Sequence, residues 1–276
     1  MLDRYTTGAT LLPLGKPVLN HAIFAKLDDM CLGHLWSPVR LIRKVLSANL
    51  YIAILRIVCM VIKAILMDLD GTLIDSIPLI TKSVETTIAH FGFSCSKQKL
   101  RELAQLHSRD IAYYFADKHK KQFSPHEFVE FRRRAFLKLL EKKQKQWFKD
   151  AKPFIKKMSK EYKLAIVTGS RWVFLDAVFD AGTKNKLEAI ITSDDVKHKK
   201  PDIEPLEKAL GKVRAKKDEV IFIGDSTQDA LMCQRFGIKF IGKSTGISTR
   251  FQLKKFNPVF IAKDFLEIEA FVSSLK

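Results

Sequence analysis

The sequence predicts an α/β protein, a parallel sheet into which a set of helices is inserted. Three observations lead there. Five short apolar runs recur along the chain with helical stretches between them, the alternation that builds a parallel sheet. That alternation breaks once, over roughly ninety residues, where a simple βαβ crossover needs about 30. Carboxylates, a lysine and hydroxyls stand at or just beyond the ends of the runs, the edge at which open α/β sheets place their ligand sites.

Taken in order, the first 59 residues contain Pro13, Pro17 and Pro38 ahead of a mixed apolar and basic stretch. They read as an N-terminal extension, with Met60 as the natural start and residues 39–59 suited to an amphipathic, surface-seeking helix. Asn49 to Met67 is not read as a membrane span, because Arg56 and Lys63 interrupt it and its last third is needed as the first strand. Nor is a signal peptide expected: Asp3 and Arg4 precede no apolar core and no small-residue cleavage site.

The first strand is VIKAILM, Val61 to Met67, short and nearly continuous in apolar residues, as a strand buried on both faces must be. It runs into MDLDGTLIDS. Side chains alternate along a strand, so Asp68 and Asp70 are expected to project to one side at its carboxyl end. Gly71 permits a sharp turn, and Asp75 or Ser76 is placed to cap the next helix. The long gap follows. Segments such as IPLITKSVETTIAHFGF, SKQKLRELAQL, RDIAYYFADKHKKQF and SPHEFVEFRRRAFLKLLEKKQKQWF place apolar residues at helical spacing. They predict a helical bundle at roughly residues 79–148, positioned as a lid over the strand end that carries the aspartates. The basic run KKQKQWFKDAKPFIKK reads as a solvated helix face.

The second run, KLAIVTG, leads to Thr168, Gly169 and Ser170, whose hydroxyls and backbone N–H groups are the materials of a phosphate cradle and also of a common turn and cap. The third, EAIITSD, is followed by Lys200 and by PDIEPLEKALGKV, a helix expected to begin with Pro201 in its first turn and to be punctuated by Gly211. The fourth, EVIFIGD, ends in GDSTQD with Asp225 and Asp229; Ser226 and Asp229 also have the spacing of a capping box. The fifth is IKFIGKS, Ile238 to Ser244.

Composition limits what this fold does. At 276 residues, with 47% hydrophobic and 28% charged residues, the chain is an ordinary globular protein. Its 48 Lys and Arg against 30 Asp and Glu give a formal charge of +18, which favours anionic partners of any kind. No zinc-finger spacing and no glycine-and-aromatic RNA-binding signature is present, and the lysines are scattered, so no dedicated nucleic-acid module is expected. Cys31, Cys59, Cys95 and Cys233 form no CxxC pair, which points to free thiols in a reducing, cytoplasmic setting.

Four carboxylates, one ammonium and a group of hydroxyls thus converge on one sheet edge. Carboxylates crowded together call for a cation, and an all-oxygen set suits Mg²⁺, which keeps several waters and also binds phosphate. DLDGT at Asp68 to Thr72, the strand ending at Thr168, Lys200-Pro201 and GDSTQD at Gly224 to Asp229 together resemble the four ordered motifs of the haloacid dehalogenase superfamily. Among its members they resemble most the phosphatases with a helical cap, of the phosphoglycolate phosphatase and β-phosphoglucomutase group. The resemblance covers Met60 to the C-terminus. It implies a Rossmann-like core formed by residues 60–78 and 149–276, with a cap at 79–148. It implies Asp68 as nucleophile, Asp70 as general acid/base, and Thr168 and Lys200 holding the phosphoryl group with Gly169 and Ser170. Asp68, Asp225 and Asp229 would hold Mg²⁺ together with the Asp70 backbone carbonyl. The function so implied is hydrolysis of a small phosphorylated metabolite through an aspartyl-phosphate. A phosphomutase of the β-phosphoglucomutase type is the near alternative, and a basic nucleic-acid-binding protein on the same scaffold is the alternative of another class. Where related caps often carry a glycine, this chain reads QLHSRDIAYY; His107 and Arg109 are the candidate cap residues, with Arg109 expected to meet an anionic substrate.

Overall fold

The computed structural model describes residues 62–119, 123–142, 147–176 and 178–275, all within one compact unit, Met60–Lys276. The N-terminal extension and its surface-seeking helix lie outside the described residues.

The sheet has six parallel strands in the order β3-β2-β1-β4-β5-β6. They are β1 (Ala64–Met67), β2 (Lys163–Val167), β3 (Ala189–Ile191), β4 (Val220–Gly224), β5 (Lys239–Lys243) and β6 (Phe260–Ala262). β1 is central and buried at all four positions, because helices cover both faces of a parallel sheet. Ile65 and Met67 pack with Ile166, Ile223, Phe154 and Phe265 on one face. Leu66 packs with Ala165, Phe222, Leu206 and Met232 on the other. Each such side chain taken fully out of water stabilises the fold by about 1.5–3 kcal/mol, so the centre of the sheet is its most rigid part and holds whatever is mounted on its ends. β6 was not among the five predicted runs. It has three residues, lies at the sheet edge and follows Pro258, too short a run for periodicity to reveal.

Among the described residues five helices lie between β1 and β2, the first four being α1 (Ile77–His90), α2 (Lys97–Ala104), α3 (Ser108–His119) and α4 (Pro125–Lys142). These four enclose a cluster of their own, including Val84, Ile88, Leu103, Ile111, Phe115 and Phe128. The chain leaves and re-enters the core through two joined linkers. Ile74 bridges Trp147 in antiparallel fashion, and the Phe148 N–H donates to the Leu73 carbonyl at 3.0 Å. Helix α5 (Ala151–Met158) then follows; its Phe154, Ile155 and Met158 are buried against the sheet, so the basic run has an apolar side as well as a solvated one.

Two local expectations change. The helix after Lys200 begins at Glu204, not at Pro201, and runs to Val213 as α8 (Glu204–Val213) after the two short helices α6 (Trp172–Leu175) and α7 (Ala181–Lys184). Pro205 is the first-turn proline, Asp202 Oδ1 accepts the Glu204 N–H at 2.9 Å, and Gly211 lies inside the helix rather than ending it. Ser76 does precede α1, but its hydroxyl makes no cap bond because it is used elsewhere, as described next. The remaining helices are α9 (Thr227–Phe236), α10 (Arg250–Lys254) and α11 (Phe265–Ser273).

Candidate active site

The ends of β1 and β4 form the floor of the site. Asp68 continues the ladder, its N–H donating to the Ile223 carbonyl at 2.9 Å, and its carboxylate is buried. Lys200, also buried, reaches in from the loop before α8. Its Nζ donates to Asp68 Oδ1 at 2.7 Å and to Asp229 Oδ1 at 2.6 Å. Asp229 closes the first turn of α9 as well: its Oδ2 accepts from the Ser226 hydroxyl at 2.6 Å and the Ser226 N–H at 3.2 Å, while Ser226 Oγ accepts the Asp229 N–H. The capping box and the contact with Lys200 are therefore made by different oxygens of one carboxylate.

Asp225, at the end of β4, accepts from the Thr72 hydroxyl at 3.0 Å and from the Ile247 N–H at 2.7 Å. Two glycines make room for it. A Cβ on Gly71, whose φ is +82°, would lie 2.3 Å from Asp225 Oδ2, and one on Gly246 would lie 2.0 Å from the same atom. No other residue fits either position with the carboxylate where it stands.

Oxygens of Asp68, Asp225 and Asp229 lie within 4.8 Å of one another. Burial raises Asp68 well above the usual carboxylate range; Lys200 opposes the shift, and Asp229, Asp225 and Asp70 add to it. Burial, with Asp229 beside it, pushes Asp225 up to about 7 against the hydrogen bonds from Ile247 and Thr72. Lys200 keeps its proton: burial acts against its charge, but Asp229 and Asp68 outweigh it. Three buried carboxylates therefore share one ammonium, a set short of positive charge. Such a group of hard oxygen ligands fits a divalent cation of the Mg²⁺ type.

Asp70 turns away from this cluster. The Ser76 hydroxyl donates to its Oδ1 at 2.7 Å, Ser170 Oγ to its Oδ2 at 2.5 Å, and Thr168 Oγ1 lies 3.5 Å from that oxygen. The two motif aspartates thus occupy different environments, Asp68 ionic and Asp70 hydroxyl-lined. Of the expected phosphate cradle, both hydroxyls point at Asp70, the Ser170 N–H is bonded to Thr168 Oγ1 at 3.0 Å, and Gly169 is exposed with open space around its α-carbon.

Above the floor, His107 Nε2 lies 3.3 Å from the Lys200 carbonyl oxygen, whereas Arg109 is exposed in the first turn of α3. Gln105 ties the helical insertion to the core twice. Its carbonyl accepts from Gln228 Nε2 at 2.8 Å and its side-chain oxygen from Ser248 Oγ at 3.3 Å. Thr72, Gln105 and the Gly246–Ser248 loop were not singled out from sequence, and Ser76 only as a helix cap. Thr72 lies inside the DLDGT motif and could have been. Ile247 acts through its backbone N–H, which no side-chain pattern announces. Elsewhere, His198, Asp202 and Glu204 also cluster, but Lys208 and the N–H groups of Lys197 and His198 already satisfy the Glu204 carboxylate.

Among the described residues no helix is long and apolar enough to cross a membrane. In comparison with known proteins, the family model of haloacid dehalogenase-like hydrolases matches residues 65–243. The pyrophosphatase PpaX of Bacillus mycoides is 28% identical over 222 residues, 73% of this chain and 93% of that one. The phosphoglycolate phosphatase of Yersinia pestis is 26% identical over 191 residues, 67% of this chain and 82% of that one. Among solved structures, a haloacid dehalogenase-like family hydrolase from Streptococcus pneumoniae superimposes with a TM-score of 0.65 at 24% identity, covering 76% of this chain and 98% of that one.

Proposed function

From the premise that this chain belongs to the haloacid dehalogenase-like hydrolase family, we propose that it is a Mg²⁺-dependent phosphatase that cleaves small phosphorylated metabolites through an aspartyl-phosphate at Asp68. The observation that carries the reading is the buried Asp68 carboxylate, held by Lys200 and flanked by Asp225 and Asp229, with a second carboxylate, Asp70, two residues on in a separate hydroxyl-lined setting. That is one group to attack and one to move protons. The names of the PpaX and phosphoglycolate phosphatase relatives agree with it.

Asp68, Asp225, Asp229 and the Asp70 carbonyl would hold the ion, which when bound supplies charge that offsets the phosphate oxygens. In the first half-reaction an Asp68 oxygen attacks phosphorus, the bond from phosphorus to the leaving oxygen breaks, and Asp70 gives that oxygen a proton. In the second, Asp70 takes a proton from water as the water attacks the aspartyl-phosphate, freeing inorganic phosphate and restoring Asp68. Lys200 holds the phosphoryl oxygens and Thr168 orients them. Helices α1–α4, in the insertion placed at residues 79–148 by the sequence, would act as the cap that excludes bulk water. The free thiols Cys95 and Cys233 accord with a cytoplasmic setting.

The test is phosphate release from 2-phosphoglycolate, pyrophosphate, sugar phosphates and p-nitrophenyl phosphate, with Mg²⁺ or EDTA. Release that requires both Mg²⁺ and Asp68, and vanishes in Asp68→Asn, is the expected result. Isomerisation of a sugar phosphate without net release would make the enzyme a phosphomutase instead, and readily detectable release by Asp68→Asn would remove the proposed intermediate.

A further inference from the structure

Helix α4 contributes a cation to the cap that nothing in the proposed chemistry uses. Phe128, Arg132 and Phe136 stand four residues apart and so share one face of the helix. Phe128 is fully buried in the helical cluster. Phe136 leaves that cluster and meets the ring of Phe174 edge-on at 5.1 Å. Phe174 belongs to α6, the short helix just after Thr168–Ser170. Between them, Arg132 Nη1 donates to Ser108 Oγ at 2.8 Å, and Ser108 is the neighbour of His107, whose ring lies against the Lys200 carbonyl. Arg132 therefore stands between two of the places where the helical insertion and the core touch, His107 at Lys200 and Phe136 at Phe174.

The guanidinium is underused. Among the described residues no carboxylate pairs with it, and burial alone lowers its pKa to about 10. It carries five N–H donors in a planar fork matched to a carboxylate or a phosphate. Arg132 is half-buried, and its one hydrogen bond among the described residues, to Ser108, leaves the rest of that fork open to an anion. The carboxylates of the floor do not supply one: Lys200 spans Asp68 and Asp229, and Asp225 is held by Thr72 and Ile247.

We propose that Arg132 receives a second anionic group of the substrate, so that the preferred substrates are small molecules carrying a carboxylate or a further phosphate beside the phosphoryl group transferred to Asp68. This rests on the phosphatase reading above and adds a substrate class to it. Acidic phosphomonoesters, bisphosphates and pyrophosphate belong to that class; simple alkyl or aryl phosphates do not.

The experiment measures kcat/KM for 2-phosphoglycolate, pyrophosphate and p-nitrophenyl phosphate in the wild type, Arg132→Gln, Arg132→Lys and Arg134→Ala. In parallel, calorimetry measures binding of 2-phosphoglycolate to Asp68→Asn with and without Arg132→Gln. The wild type should prefer one or both of the two-anion substrates over p-nitrophenyl phosphate; the carboxylate and phosphate arms identify which second anion the cap takes. Arg132→Gln should lower that preference by about 10- to 100-fold, mainly through KM, as expected for loss of a charged hydrogen-bonding partner. Arg132→Lys should retain part of it, and Arg134→Ala, at an exposed position of the same helix, should leave the preference in place. Equal losses on all three substrates, or a wild type indifferent to the second anion, would overturn the assignment. The wild-type ranking decides even if the Arg132 variants fold poorly. If no substrate is turned over, it is the phosphatase reading that fails; the calorimetric comparison still judges Arg132, and equal affinities with and without it would overturn its role.

Discussion

The Lys200 ammonium lies 2.7 Å from Asp68 Oδ1 across 132 residues of sequence and 2.6 Å from Asp229 Oδ1, with all three groups buried. Removing one partner of a buried ionic set leaves the others uncompensated. Lys200→Met should therefore destabilise the protein by about 3–5 kcal/mol, read by urea denaturation at pH 7 in EDTA. The double variant Asp68→Asn/Lys200→Met should lose clearly less than the sum of the two single changes, because the residues share the interaction. Additive losses would mean that the two groups do not stabilise each other.

Asp70 is fixed by hydroxyls rather than by charge, and its role should differ in kind from that of Asp68. Asp70→Asn keeps the hydrogen-bonding shape but cannot relay protons, so turnover should fall by roughly 10²–10⁴-fold, with binding of a non-hydrolysed phosphate analogue retained. Ser170→Ala removes one neutral partner of Asp70 and should cost on the order of 0.5–1.5 kcal/mol of transition-state stabilisation. Steady-state kinetics with p-nitrophenyl phosphate separates the two; a Ser170→Ala loss as large as that of Asp70→Asn would give the serine a direct part in the chemistry.

The cradle around Asp225 can be filled. A methyl group at Gly246 would meet Asp225 Oδ2 at 2.0 Å, so Gly246→Ala must displace the carboxylate or the loop. Mg²⁺ affinity should drop by about 10- to 100-fold, the size typical for disturbing a ligand's support, in a calorimetric titration. Gly211→Ala is the contrast: nothing lies within 4 Å of its added methyl, it is inside a helix, and it should gain about 0.5–1 kcal/mol with Mg²⁺ affinity unaltered.

These residues also show what a sequence discloses. Asp68, Asp225 and Lys200 were legible because the strands beneath them are apolar runs with a clear end, and the side chain that follows such a run is placed by the sheet itself. Asp229 was legible as a cap and as a candidate ligand, and its two oxygens divide between the Ser226 capping box and Lys200. The Gly246–Ser248 loop was not, since two of its contacts to Asp225 are backbone N–H groups. The start of α8 was misplaced by three residues because Pro201 and Pro205 both suit a first helical turn, and only the Asp202 hydrogen bond decides between them. Arg132 was invisible for a third reason: among the neighbouring arginines RRR, helical phase alone does not reveal which one tertiary packing turns toward the core. Burial and pairing are properties of the fold, and the sequence states only the candidates.

Lys243 offers a test that does not involve catalysis. It ends β5 and is buried to 1% exposure, its Nζ 3.4 Å above the Phe148 ring and 2.5 Å from Thr245 Oγ1. Phe148 is the residue that joins the returning linker to Leu73, so this ammonium sits beside the linkers of the helical insertion. Burial lowers its pKa to about 8, with Asp225, Asp150, Asp75 and Asp264 opposing the shift from a distance. Below pH 8 folded and unfolded chains both carry the proton, and the full penalty of burying the charge applies. Between about pH 8 and 10.5 the unfolded chain binds more protons than the folded one, so this group makes stability rise with pH. Lys243→Met removes the charge while keeping an unbranched chain over the aromatic ring. It should stabilise the protein by about 1–2 kcal/mol at pH 7, and the gain should shrink as pH approaches 10. Denaturation curves of both proteins at pH 7, 8.5 and 9.5 decide it; a Met variant that is less stable at pH 7 would mean that the cation–π contact with Phe148 outweighs the desolvation of the ammonium.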